Sequence, residues 1–215
     1  MNDILAGYAA AATPELIARY EALSCAEIYA PVLDLFPPSP ARVADIGAGT
    51  GRDAGWLAGQ GHAVLAVEPV APFRLAGVAR HASPRIEWLD DRLPELGLAQ
   101  ERGRFGFVLL GGVWQHLDEP ERARAMTSLA RLTAPGGLLV MSLRHGPGVP
   151  GRAVFPIAPE ATIESARGEG FRLVRRAEVQ SIQPGNRASG AWWTWLALRM
   201  AGSSADDCDS GAVAG

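Results

Sequence analysis

Between Val43 and Pro69 the chain reads VADIGAGTGR, then an amphipathic stretch ending in GQG, then VLAVEP. No other segment restricts the fold as strongly. Val43 to Ile46 has the make-up of a short buried strand. Gly47, Gly49 and Gly51 come next, and glycines let a backbone turn sharply off a strand and lie close against a ligand. RDAGWLAGQG reads as a helix closed by glycine, whose first turn offers unpaired N–H groups and the positive end of a dipole. The next strand ends in Glu68, one strand–helix–strand unit from the loop. A carboxylate there can accept hydrogen bonds from both hydroxyls of a ribose. The unit has the form of a cradle for an adenosine-containing cofactor.

Beyond Pro69 the alternation repeats. VAPFRLAGVARHA reads as a helix, RIEWLDD as a strand, and RFGFVLLGGV as a strongly apolar strand. Asp118 and Glu121 have capping-box spacing for a helix to Leu132, with Ala123, Met126, Leu129 and Ala130 on one face. APGG turns the chain into the apolar strand LLVMSLRHG. Strands alternating with helices argue for a parallel sheet covered on both faces. GPGVPGRAVFP is loop, and Glu160 to Gly168 reads as a helix. FRLVRRAEVQ and AWWTWLALRM alternate as half-exposed strands, joined by a long turn over SIQPGNRASG and expected to pair antiparallel.

Upstream, residues 1–38 look helical and separate from the main fold. Thr13 can cap a helix with Pro14 at its first position, and Leu16, Ile17, Tyr20 and Leu23 share its apolar face. Ser24 and Glu27 have capping-box spacing for a second helix, which Pro31 would break. The PPSP run at 37–40 marks a boundary. The expected division is a helical lid over 1–40, a cofactor-binding domain over 41–200, and a tail over 201–215 with a disordered composition.

Composition narrows the chemistry. The 215 residues are 48% apolar, enough for a sizeable core. A net charge of −3 gives no electrostatic case for duplex nucleic acid or an anionic membrane. All basic residues are arginine, which rules out Schiff-base lysines and the phosphate-binding lysine of a P-loop. The two cysteines, Cys25 and Cys208, lie far apart and form no disulfide framework or metal-ligand spacing, so no metal is expected. The first residues carry Asp3 and no basic run, and no apolar run reaches membrane-spanning length, so a cytoplasmic setting is expected.

Glycine spacing separates two classes of cofactor. The dinucleotide fingerprint is G-x-G-x-x-G, but here the glycines stand at 47, 49 and 51 and position 52 is Arg. A pyrophosphate needs the close approach that the later glycine provides. A phosphate-free cofactor with an amino-acid tail gains more from nearby carboxylates, which meet its ammonium and sulfonium charges. VADIGAGTGRDAGWLA followed by VLAVEP resembles the first two motifs of the class I S-adenosylmethionine-dependent methyltransferases. The likeness continues through WLDD, FGFVLLGGVWQHL and APGGLLVMSL.

The resemblance implies a Rossmann-like, doubly wound, mostly parallel seven-stranded α/β sheet with a C-terminal antiparallel hairpin and N-terminal helices. It also implies S-adenosylmethionine as cofactor, S-adenosylhomocysteine as product, and a small-molecule methyl acceptor. Gly47, Ala48, Gly49 and Gly51 would hold the methionine portion, with Asp45 supporting the loop and the ammonium group. Glu68, with Pro69 beside it, would hold the ribose. Asp90 and Asp91 both suit the adenine amino group, and Gly111, Gly112 and Val113 would line the methyl-transfer side.

His116 could serve as a base or anchor its own loop. Trp114, Arg144 and His145 are candidates for substrate contact, Arg144 through a carboxylate or phosphate. Trp192, Trp193 and Trp195 are expected to pack the sheet, and Tyr8 and Tyr20 to pack in the N-terminal helices, with contact to cofactor or substrate as the other reading. A nicotinamide-dependent oxidoreductase and a non-catalytic cofactor-binding module are the rival functions. The acceptor and the oligomeric state leave no pattern in the sequence.

Overall fold

The computed structural model describes residues 2–38, 40–148 and 151–202. The expected tail from residue 203 on, with Cys208, lies outside them. Seven strands form one sheet: β1 Arg42–Ile46, β2 Ala63–Val67, β3 Ile86–Leu89, β4 Phe105–Leu110, β5 Thr133–His145, β6 Phe171–Gln180 and β7 Trp192–Met200. Their spatial order is β3-β2-β1-β4-β5-β7-β6. β1 to β5 pair in parallel, while β7 runs antiparallel to both β5 and β6. The mostly parallel sheet with a terminal antiparallel hairpin is thus the one the alternation implied.

Period-two burial explains why both faces are covered. Ala44, Ile46, Val108, Leu110, Leu139 and Met141 face one core with α7 (Glu119–Leu132) and α8 (Pro159–Gly168). Val43, Phe107, Leu109, Leu138 and Val140 face the other, under α4 (Arg52–Gly59). Successive residues of a strand point to opposite faces, so an unbroken apolar run is what a doubly covered strand requires.

Local signals mostly act where they were read. Asp118 accepts from the Glu121 N–H and Glu121 reaches back to the Asp118 N–H, closing the capping box of α7. Its buried stripe is Ala125, Met126, Leu129 and Ala130, whereas Ala123 is exposed. APGG bulges out within β5: Phe105 pairs with Thr133 and Phe107 already with Leu138. The long turn over 181–190 contains a short helix, Pro184–Ala188, which its glycines and proline had hidden.

The N-terminal helices are α1 Asn2–Ala11, α2 Pro14–Glu21 and α3 Cys25–Tyr29. Thr13 caps α2 as expected. The expected separation of residues 1–38 does not extend to their last part. Tyr29 and Val32 are fully buried in the core under α4, where the Tyr29 ring packs on Phe36, Trp56 and Trp195. Only α1 and α2 form a satellite cluster, in which Leu16 and Ile17 meet Val70 and the Phe73 of α5 (Ala71–Arg80).

Candidate active site

The strand order reverses between β1 and β4, and a crevice opens beyond their carboxyl ends. In open α/β sheets this switch point is where ligands bind. Here it is a cleft of about 400 Å³, within the range of small-molecule sites. The glycine loop forms its floor. The Gly47 and Ala48 N–H groups donate to the Val67 carbonyl at 2.8 and 3.0 Å, tying the loop to the end of β2. Gly49 has φ +56° and a Cβ built on it meets nothing within 4 Å. Gly51 differs: a Cβ there would stand 2.6 Å from the Trp88 ring, so this glycine serves helix packing and lies off the cleft wall.

Glu68 is buried, and each carboxylate oxygen accepts one backbone N–H at 2.7 Å, Gly49 to Oε2 and Val70 to Oε1. Burial pushes its carboxyl up, while the two N–H groups pull it down. Asp45 is 2% exposed and its Oδ2 has no hydrogen-bond partner among the described residues. Burial, then the nearby Asp53 carboxylate, pushes Asp45 well above the usual carboxylate range.

Asp53 was not foreseen. Arg52 grips it with Nε to Oδ1 and Nη2 to Oδ2, both at 2.8 Å. The Tyr29 hydroxyl donates to it at 2.6 Å and the Cys25 thiol at 3.2 Å. Burial pushes the Cys25 thiol up to about 12, so it stays a thiol. The loop is also tied to α2: the Thr50 hydroxyl donates to Glu21, whose other oxygen meets His81 Nε2 at 2.9 Å.

After β3 the two acids part company. Asp90 is exposed, pairs with Arg74 at 2.7 Å and lies outside the cleft. Asp91 lines the cleft and accepts from the Arg92 and Ala99 N–H groups, both at 2.8 Å. Pro69, Gly111, Gly112 and Val113 line it too, and the Gly112 N–H donates to the buried Ser142 hydroxyl at 2.9 Å.

His116 is buried beneath the far end of the cleft. Its Nδ1 lies 2.7 Å from the Ala153 carbonyl, an acceptor only, so Nδ1 carries the proton. Nε2 therefore accepts, and the Tyr8 hydroxyl donates to it at 2.8 Å. Burial holds the imidazole below its ordinary value and lifts the Tyr8 phenol to about 12. Arg144 and Arg152 stand at this same end.

Two substrate candidates are corrected. Trp114 is 1% exposed in the core, donating to Thr162 at 3.3 Å, because the short turn after β4 rolls it beneath α8. His145 bonds Thr194 at 2.9 Å and stacks on Trp192 at 3.8 Å, outside the cleft. Trp193, for which sheet packing was favoured over a substrate cage, lines the cleft, as does Trp195 from the buried side. A register argument from β5 would have found it: Trp193 lies opposite Arg144. Arg152 was hidden in a loop with no periodicity, though long loops beyond strand ends are where ligand contacts gather.

The sheet order and the helices on both faces are those of the Rossmann-like methyltransferase fold. A family model described as a methyltransferase domain matches residues 43–137. An uncharacterised methyltransferase of Mycobacterium bovis is 34% identical over 105 residues, 49% of this chain and 40% of that protein. Counterparts in Mycobacterium tuberculosis match equally. The chain thus covers about two fifths of the length of these curated relatives.

Among solved structures, the Burkholderia thailandensis 1,6-didemethyltoxoflavin-N1-methyltransferase, bound to 1,6-didemethyltoxoflavin and S-adenosylhomocysteine, is similar in fold. Its TM-score is 0.61 at 23% identity, over 75% of this chain and 72% of that one. A glycopeptide N-methyltransferase in complex with S-adenosylmethionine has a TM-score of 0.60 at 20% identity, over 81% and 92%.

Proposed function

We propose that the cleft binds S-adenosylmethionine and that the protein methylates a small molecule. The observation that carries this reading is the pair of buried carboxylates at the loop. Asp45 presents a partnerless buried oxygen and Glu68 two oxygens with one N–H each. A buried, uncompensated carboxylate is costly, and a cationic, hydroxyl-rich ligand offsets that cost. Gly47, Ala48 and Gly49 lie against the methionine portion, Glu68 and Pro69 hold the ribose, Asp91 meets the adenine, and Gly111 and Gly112 border the methyl. Asp90, turned to solvent, and Gly51, spent on packing, have no part in it. Arg52 is paired to Asp53, which suits a cofactor without phosphate.

Bound cofactor supplies an electrophilic sulfonium methyl. The protein's share is to align the acceptor, exclude water and handle one proton. Helices α1 and α2 form the lid, with Tyr8 and Tyr20 on the cleft wall. His116 does not meet the acceptor directly, because Tyr8 and Gln115 occupy its Nε2. A proton leaving the acceptor passes to the Tyr8 oxygen as the Tyr8 proton passes to Nε2. A cleft of about 400 Å³ suits a small acceptor.

Titration calorimetry with S-adenosylmethionine, S-adenosylhomocysteine and NAD tests the cofactor. Micromolar binding of the first two is expected, and binding of NAD alone would sink the reading. Labelled methyl transfer to a small-molecule extract tests the enzyme. Cofactor binding without any transfer there would favour a non-catalytic module.

A further inference from the structure

The far end of the cleft has a charge inventory that the proposed cofactor does not use. Arg144 and Arg152 are both half-buried there. Arg144 donates only through Nη1, to the carbonyls of Pro147 at 2.7 Å and Gly146 at 3.5 Å. Its Nε and Nη2 have no protein acceptor among the described residues. Arg152 lies over the Tyr8 ring, 5.0 Å from its centroid, and its Nη1 donates to the Tyr20 hydroxyl at 3.4 Å. Neither guanidinium has a carboxylate partner among the described residues. The two are close enough that each charge bears on the same groups: both disfavour protonation of His116, and Arg152 lowers the Arg144 value beyond what burial does.

The acids of the lining are elsewhere and already engaged. Asp53 is held by Arg52 and Tyr29, and Glu68 and Asp91 by backbone N–H groups. The cleft is therefore divided, with carboxylates around the glycine loop and unneutralised guanidinia at the other end. Half-buried cations without counter-charge are costly, and the planar fork of arginine is suited to an oxyanion. The lining also carries the aromatic and apolar side chains Tyr8, Tyr20, Phe73, Val113 and Trp193.

From this division we infer that the methyl acceptor is an anion: a small molecule with a flat apolar body and one carboxylate or phosphate group, held by Arg144 and Arg152 with its body against Tyr8 and Trp193. The inference rests on the methyltransferase reading for the word acceptor, though the anion subsite itself does not. It also gives the subsite a second consequence. With both guanidinia unneutralised, a proton on His116 is opposed by two positive charges. A bound oxyanion removes that opposition, so the Tyr8–His116 relay becomes able to accept a proton when the anionic acceptor is in place.

Benzoate, phenyl phosphate and benzamide serve as probes, titrated into the free protein and into protein saturated with S-adenosylhomocysteine. At least one of the two anions is expected to bind tenfold or more tightly than benzamide, and which one does so separates a carboxylate from a phosphate site. Arg152→Gln and Arg144→Gln should each remove that preference without changing affinity for S-adenosylhomocysteine. The Arg152 side chain donates to no backbone carbonyl among the described residues, so its variant leaves the turn after β5 intact even where Arg144→Gln loosens it. Equal binding of anion and amide, no anion binding at millimolar concentration, or a preference that survives both substitutions overturns the inference. Failure of S-adenosylhomocysteine to bind while anion selectivity persists sinks the cofactor reading and leaves the anion subsite standing.

Discussion

At the scale of single residues, the cradle sets binding against stability. Asp45 is an acid where the fold would be more stable with a neutral group, since its buried Oδ2 has no partner and Asp53 and Glu68 repel it. Asp45→Asn should raise the stability of the free protein by about 1 kcal/mol, as replacing uncompensated buried charge commonly does. The same change should weaken S-adenosylmethionine binding about tenfold. Denaturant melts and calorimetry check both halves, and a variant less stable than the parent would show that Asp45 anchors the loop instead. Glu68→Ala removes the acceptor of two backbone N–H groups as well as the proposed ribose contact, and should weaken binding about 100-fold, by the usual worth of charge-assisted hydrogen bonds. Gly49→Val places a branched side chain in the open cleft at φ +56°, which costs roughly 1–2 kcal/mol of backbone strain besides blocking the ligand. Binding retained in both variants would misplace the cradle.

At the scale of elements, the N-terminal helices are held by two kinds of contact. The Tyr8 hydroxyl meets His116, and α1 approaches the loop after β5 so closely that a Cβ on Gly7 would stand 1.9 Å from the Gly151 carbonyl oxygen. Gly7→Val should lift α1 away while leaving the main sheet intact, because α1 and α2 pack in a satellite cluster. Amide exchange should rise by at least tenfold over Asn2–Ala11, as for a segment of low local stability, with β1 and β4 unchanged. Uniformly faster exchange would mean that α1 belongs to the main cooperative unit.

The same contrast explains what was legible beforehand. Strands buried on both faces, the glycine spacing and the α7 capping box each have a local sequence cause, and each appears where it was read. The features that escaped depend on register or on chain returning from far away. Trp114 and Trp193 exchange their expected environments because one turn after β4 and one pairing with β5 decide which way each faces. Arg152 meets Tyr20 across more than a hundred residues, and no local pattern encodes that contact.

At the scale of the whole molecule, the proposed cofactor binding should be coupled to proton binding through the two buried acids. Both carboxyls titrate above their ordinary values, Asp45 strongly, with burial the first cause in each case. In the unfolded chain they ionise near pH 4. The stability they contribute is therefore fully present below about pH 4, where both states are protonated, and is lost as pH rises through their raised folded values. A cation placed at the loop favours the ionised form and reverses that loss. S-adenosylmethionine affinity should then rise with pH through the same window, and each binding event should release protons from Asp45 and Glu68. S-adenosylhomocysteine, without the sulfonium charge, should release fewer. Calorimetry of both ligands in two buffers of different ionisation enthalpy measures the release directly. Heats that do not change with buffer, or an equal release for the two ligands, would show that the sulfonium charge is not what these carboxylates answer to. Asp45→Asn serves as the internal control, since it should lower the release for S-adenosylmethionine and bring the two ligands closer together.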